Sequence, residues 1–185
     1  MKQVGLFFGS FNPIHNGHLI VAQYMLEEAA LDEIWFVLSP QNPFKEREQL
    51  WDEDFRLKLA SAALADNKAF QLCDLEFHLP RPSYTADTLR QLLLKHPDIN
   101  FSLIMGSDSL NSLPRWKDTE FLQTFKLLVY RRAGFEHART ALGESDKLHW
   151  FDAPYLDISA TYVRERMEQG HSVRYLVPDS VFRLL

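Results

Sequence analysis

The chain has 185 residues, a formal charge of −5, 46% hydrophobic and 13% aromatic side chains and a single cysteine, Cys73. That much apolar material can bury a core, and the length suits one domain spanning 1–185 with a C-terminal helical part from about residue 158. The acidic balance argues against nucleic acid or an anionic membrane surface as a partner. One cysteine excludes an internal disulfide and a cysteine-rich metal site, and it fits a reducing cytoplasm.

The apolar run Val4 to Phe8 is too short for a signal-peptide core and leads directly into Asn12-Pro13, so it reads as mature structure. No stretch approaches the roughly 20 apolar residues of a membrane span. Strands are predicted over Gln3 to Phe8, Glu33 to Leu38, Ala69 to Leu72, Asn100 to Met105, Lys126 to Tyr130 and Leu148 to Phe151, most of them rich in Val, Ile, Leu and Phe. Between them, His18 to Ala30 places apolar Leu19, Ala22, Met25, Leu26 and Ala29 at helical spacing, and Asp54 to Ala65 and Ala86 to Lys95 repeat the pattern. A last helix is predicted from about Thr161 to Gln169, stopping at Gly170. Strands alternating with helices imply an α/β fold, a Rossmann-like doubly wound parallel sheet with helices on both faces. No repeat, low-complexity run or flexible linker marks a boundary. The loop Ser39 to Leu50, with Pro40, Pro43, Lys45 and Arg47, suits a ligand-covering segment or an ordinary solvated loop.

In an open parallel sheet ligands bind beyond the carboxyl ends of the strands, which directs attention to the loop Gly9-Ser10-Phe11-Asn12-Pro13-Ile14-His15-Asn16-Gly17-His18. Gly9 and Gly17 remove side chains where backbone turns or approaches a ligand, and the following helix start, with unpaired N–H groups, suits a phosphate. His15 and His18, three residues apart, can face one pocket and donate to phosphate oxygens. Alternatively they ligate zinc, although further ligands are not evident nearby, or one caps the helix and the other packs against it.

This loop resembles the opening of nicotinate mononucleotide adenylyltransferases, members of the nucleotidylyltransferase superfamily marked by a His-x-Gly-His turn, here His15-Asn16-Gly17-His18. Further matches follow in order along almost the whole chain. Ser83-Tyr84-Thr85-Ala86-Asp87-Thr88-Leu89 resembles the family's Ser-Tyr-Thr-x-Asp-Thr-Leu segment, and Gly106-Ser107-Asp108 with Leu113 and Trp116 resembles its Gly-x-Asp…Leu…Trp segment. Ile158-Ser159-Ala160-Thr161-Tyr162-Val163-Arg164 resembles Ile-Ser-Ser-Thr-x-Ile-Arg; Ser159 is also a natural N-cap, and the segment read alone also fits an ordinary capped surface helix. Three departures stand out: Ala160 replaces the second serine, Ala133 replaces the proline of Arg-Pro-Gly after Arg132, and Phe8-Gly9 replaces Gly-Gly.

The resemblance implies attack by a phosphate oxygen of nicotinate mononucleotide on the α-phosphorus of ATP, giving the dinucleotide and pyrophosphate, with magnesium carried in on ATP. It implies that Gly9, Ser10, Phe11, His15, His18, Gly106, Asp108, Arg132, Ser159 and Arg164 bind ATP, with His15, His18 and Arg164 catalytic. Asp108 is read as a ribose-hydroxyl acceptor, or as a cap on the helix near Ser107. The acceptor falls to Lys45, Thr85 and Trp116, the last of which taken alone reads as core packing. An adenylyltransferase for nicotinamide mononucleotide or phosphopantetheine, or a non-catalytic nucleotide-binding regulator, are the competing readings.

Overall fold

The computed structural model describes residues 1–40, 50–132, 134–135, 145–154 and 156–185. Six strands, β1 (Lys2–Gly9), β2 (Glu33–Leu38), β3 (Phe70–Cys73), β4 (Ile99–Gly106), β5 (Lys126–Tyr130) and β6 (Leu148–Phe151), form one sheet in the order β3-β2-β1-β4-β5-β6. Every pairing is parallel. The six predicted strands are these: β2, β5 and β6 have the predicted ends, and the ends of β1, β3 and β4 are shifted by one residue.

Period-two alternation sorts each strand's side chains onto two faces. On one, Phe7, Phe36, Ile104 and Leu128 pack with α1 (Asn16–Glu28), α2 (Glu53–Leu64), α6 (Ala160–Glu168) and α7 (Asp179–Phe182). On the other, Leu6, Val37, Leu103 and Val129 pack with α3 (Thr85–Lys95), α4 (Ser107–Ser112) and α5 (Thr119–Leu122). Strands buried on both faces have no polar side to show, which is why they read as continuous apolar runs. Each fully buried aliphatic or aromatic side chain contributes about 1.5–3 kcal/mol of transfer free energy.

Three differences from the sequence reading have local causes. Helix α1 starts at Asn16 rather than His18, because His15 is extended (φ −141°, ψ 169°) and takes the N-cap position. Helices α4, α5 and α7 are four to six residues long, too short for a period to register. Leu75–His78 forms a 3-10 turn after β3.

The chain runs β1, β2, β3 outward to one edge and then returns to lay β4 against the other side of β1. The connections leaving β1 and β4 therefore depart to opposite sides, opening a crevice at their carboxyl ends, Gly9 and Gly106. Among the described residues, no helix is long and apolar enough to cross a membrane.

Leu6 is wholly buried, and its registered neighbours are Trp35 of β2 and Leu103 of β4. Leu6→Ala is expected to lower unfolding free energy by about 2–5 kcal/mol in urea titrations followed by circular dichroism. A loss below about 1 kcal/mol would contradict the packing described.

Candidate active site

A cleft of about 660 Å³ opens at the β1/β4 crevice. Its walls come from the loop after β1, the starts of α3 and α4, the segment after β5, and residues 156–161 leading into α6. The proposed nucleotide residues Gly9, Ser10, Phe11, His15, His18 and Gly106 all line it, as do Asp108, Arg132, Ser159 and Arg164. Thr85 and Trp116 line it too. Lys45 and Ala133 lie outside the described residues.

The histidine turn is built by close packing. Phe11 is buried with φ +41°, a left-handed conformation that non-glycine residues rarely adopt, and its ring fills the space above Gly9, where a Cβ would stand 3.0 Å from it. The His15 and His18 rings stack at 3.6 Å between centroids, and Phe11 meets His18 edge-on at 5.0 Å. Gly17 is required beside them, since a Cβ there would lie 3.0 Å from His15 Nδ1. The backbone N–H of His15 donates to His18 Nδ1 at 3.2 Å, which leaves Nε2 to carry the proton of the neutral His18 ring. His18 thus does cap the helix start while His15 stacks against it, as the non-metal alternative to phosphate binding required. His15 is 4% exposed, and its Nδ1 is buried without a hydrogen-bond partner. Burial, with the nearby Arg132 charge as a second cause, lowers its pKa from 6.5 to about 4.

The expected free N–H groups at the start of α1 are partly used internally. Asn16 N–H donates to Leu176 O at 2.9 Å and its side-chain amide to Tyr175 O at 2.9 Å, so the C-terminal segment ties down the turn.

From the far end of the chain, Ser159 caps α6 by accepting from Tyr162 N–H at 3.1 Å. Arg164 on that helix donates to Asn12 O at 2.8 Å, joining residues 152 apart in sequence. The histidine turn and the α6 start therefore face one cleft.

On the β4 side, Gly106 is hemmed in: a Cβ would strike Asp108 Oδ1 and stand 2.7 Å from Arg132 Cδ. Asp108 pairs through Oδ2 with Arg132 at 3.0 Å, whereas its Oδ1 is buried without a hydrogen-bond partner. It makes no cap to α4, contrary to that alternative. Arg132 is fixed at both ends, its backbone N–H donating to Ser107 Oγ at 2.9 Å. Tyr130 beside it is pushed up to about 12 by burial and stays a neutral phenol. Trp116 lines the cleft and donates through Nε1 to Ser112 Oγ at 3.0 Å, so it is not simply core.

Sequence reading overlooked Asn12, Arg56 and Glu76. Arg56 is fully buried on the α2 stripe it shares with Leu59, Ala60 and Leu64, and a charge at that spacing was the available signal. Glu76 sits in the irregular 3-10 turn, where no period exists to flag it. Burial pushes its carboxyl above the usual range, against hydrogen bonds from Ser39, Thr88 and Ser83.

Among the described residues, no group of three or more His, Cys, Asp or Glu is placed to hold a metal ion. The donors around the cleft suit phosphate oxygens, whose own lone pairs can carry a hydrated cation.

Fold and cleft together define a nucleotidyltransferase of the cytidylyltransferase-like class, and that family's model matches residues 6–166. A "probable nicotinate-nucleotide adenylyltransferase" of Cytophaga hutchinsonii is 46% identical over 99% of this chain and 95% of its own length. A protein of the same name from Bacteroides fragilis is 42% identical over 98% of this chain and 90% of its own. The fold matches the Plasmodium falciparum nicotinic acid mononucleotide adenylyltransferase complexed with NaAD, with a TM-score of 0.83 and 21% identity, covering 100% of this chain and 94% of that one. The chain belongs to the nicotinate-nucleotide adenylyltransferase family.

Because the folded state binds a proton at His15 less readily than the unfolded chain, stability is lost as pH falls from 6.5 toward about 4 and levels off below. The loss is on the order of a few kcal/mol. Denaturant titrations across this range are expected to show a shallower acid loss in His15→Gln; equal slopes would contradict a buried neutral ring.

Proposed function

We propose that the cleft aligns ATP and nicotinate mononucleotide for adenylyl transfer, and that the residues lining it divide into a polyphosphate side and an acceptor side. A phosphate oxygen of the mononucleotide forms a bond to the α-phosphorus, the bond from that phosphorus to the bridging oxygen breaks, and pyrophosphate leaves with the electron pair. The nucleophile is already an anion at neutral pH, so no general base is required, and rate comes from alignment and charge neutralisation. The observation that carries this reading is the Arg164 to Asn12 hydrogen bond, which brings the α6 start onto the histidine turn.

In this reading His18 donates from Nε2 to the α-phosphoryl oxygens, a role consistent with Nδ1 being occupied. His15, neutral and nearly enclosed, orients His18 by ring stacking and adds a hydrogen bond rather than a charge. Arg164 and the backbone at the α6 start hold the departing pyrophosphate, Ala160 contributing no side-chain hydrogen bond. Asp108 Oδ1, buried without a partner, is a ready acceptor for a ribose hydroxyl. The adenine lies between Gly106 and the flat Arg132 guanidinium, whose position the Ser107 and Asp108 contacts support despite the Pro-to-Ala departure at residue 133. Thr85 and Trp116 receive the pyridine carboxylate and ring, and Lys45 the acceptor phosphate.

Magnesium carried on the ATP phosphates would supply charge neutralisation there. No protein ligand is assigned to it. With one cysteine and no helix suited to a membrane among the described residues, the cytoplasm is the compartment proposed.

Pyrophosphate release is expected when the purified chain is mixed with magnesium, ATP and nicotinate mononucleotide. Comparable release with the nicotinamide form would overturn the acid assignment. His18→Ala is expected to reduce turnover about 10²-fold or more, and near-normal turnover would remove it from the reaction.

A further inference from the structure

Arg56 lies outside the cleft lining, yet its hydrogen bonds reach the segments that form two of its walls. It is fully buried, and its Nη1 donates to Ser10 O and to Ser39 O, both at 2.8 Å. Nη2 donates to Pro40 O at 3.0 Å and Nε to Trp51 O at 3.1 Å. One planar cation thus holds four carbonyls from three segments: the loop after β1, the residues leaving β2, and the approach to α2.

Two of those segments reach the cleft lining, through Ser10 and through Leu50 beside Trp51. Ser10 belongs to the loop carrying the histidine turn. Trp51 N–H donates to Asn12 Oδ1 at 3.0 Å, and the carbonyl of Asn12 is the one that receives Arg164. On the other side, Ser39 presents its hydroxyl to Glu76, a buried carboxylate that also accepts from Ser83 at 2.8 Å and from Thr88 at 2.8 Å. Thr88 stands one turn beyond Thr85, which faces the cleft from the start of α3. Ser39 is thus gripped through its carbonyl by Arg56 and through its hydroxyl by Glu76.

We infer that Arg56 is a positioning residue for the transfer reaction, setting the distance between the phosphate-binding loop after β1 and the acceptor side at Ser39 and α3. The inference rests on adenylyl transfer occurring in this cleft. A guanidinium suits the task because its N–H groups point in fixed, coplanar directions; a lysine ammonium has three donors on one atom and cannot reach all four carbonyls. On its removal the four carbonyls lose their donors and must turn toward others, which moves Ser10 and Ser39 relative to each other.

The test uses the full chain, Arg56→Lys and Arg56→Ala, with pyrophosphate release giving kcat and both KM values and thermal melts giving stability. Folded Arg56→Lys is expected to lose about tenfold or more in kcat, because a misplacement of about an ångström costs up to about 10²-fold, and to show raised KM for both substrates. Activity of Arg56→Ala is expected to recover partly in millimolar guanidinium and not in equal sodium. A folded lysine variant that loses less, its melting temperature alone reduced, would overturn the inference and leave Arg56 a purely structural residue. Should neither variant fold, the Arg56 Nε–H resonance of the unaltered chain decides: shifts on adding ATP and on adding nicotinate mononucleotide, each alone, support the coupling, and a signal unmoved by either overturns it. An inactive unaltered chain would instead count against adenylyl transfer itself, which the resonance measurement does not depend on.

Discussion

The parallel pairing of β1 with β4 at the centre of the sheet is the constraint on which everything else rests. Six residues of β1 are registered against each neighbour, so the central strand spends its backbone polar groups inside the sheet and must be apolar on both faces. Because the chain leaves β1 toward one edge and β4 toward the other, the two departing loops cannot cover the crevice between them. Gly9 and Gly106 end those strands, and in both places a neighbouring side chain occupies the volume a Cβ would need. The crevice is thus lined by backbone that approaches closely and by side chains packed over glycine.

The electrostatic problem is local. A chain with net charge −5 has no overall pull on two highly charged nucleotides, so attraction must come from cations and donors gathered at the crevice. His15 is not one of the cations, since burial and the Arg132 charge both favour its neutral form. Positive charge comes from Arg164 and Arg132, which bring it from segments far apart in sequence. The two histidine rings are held in place by stacking on each other and by the hydrogen bond from His15 N–H to His18 Nδ1. Arg132 also shows a balance of roles: its charge is shared with Asp108, while Asp108 keeps one oxygen without a partner.

The same fold is kept in a solved structure at 21% identity, with a TM-score of 0.83. Apolar positions in a doubly buried sheet tolerate exchange among Val, Ile, Leu and Phe as long as volume and alternation persist. The glycines under Phe11, His15 and Arg132 have no such freedom, because a Cβ at each would stand 3.0 Å or closer to a neighbouring side chain.

The amino-acid sequence by itself determined the six strands, the principal helices and the order of the motifs, because strand burial and helix amphipathicity write periods of two and 3.6 directly into the chain. It also placed Ser159 as a cap, a property of four consecutive residues. The short helices were illegible, having too few residues to show a period. So were Asn12, Arg56 and Glu76, whose significance lies in partners 5 to 152 residues away. Only the tertiary structure decided that His15 is neutral, that His18 Nδ1 accepts from the backbone of the turn, and that Arg164 meets the loop after β1. Those outcomes follow from desolvation and hydrogen bonds between segments that touch only once the sheet has formed, and no local pattern of residues encodes them.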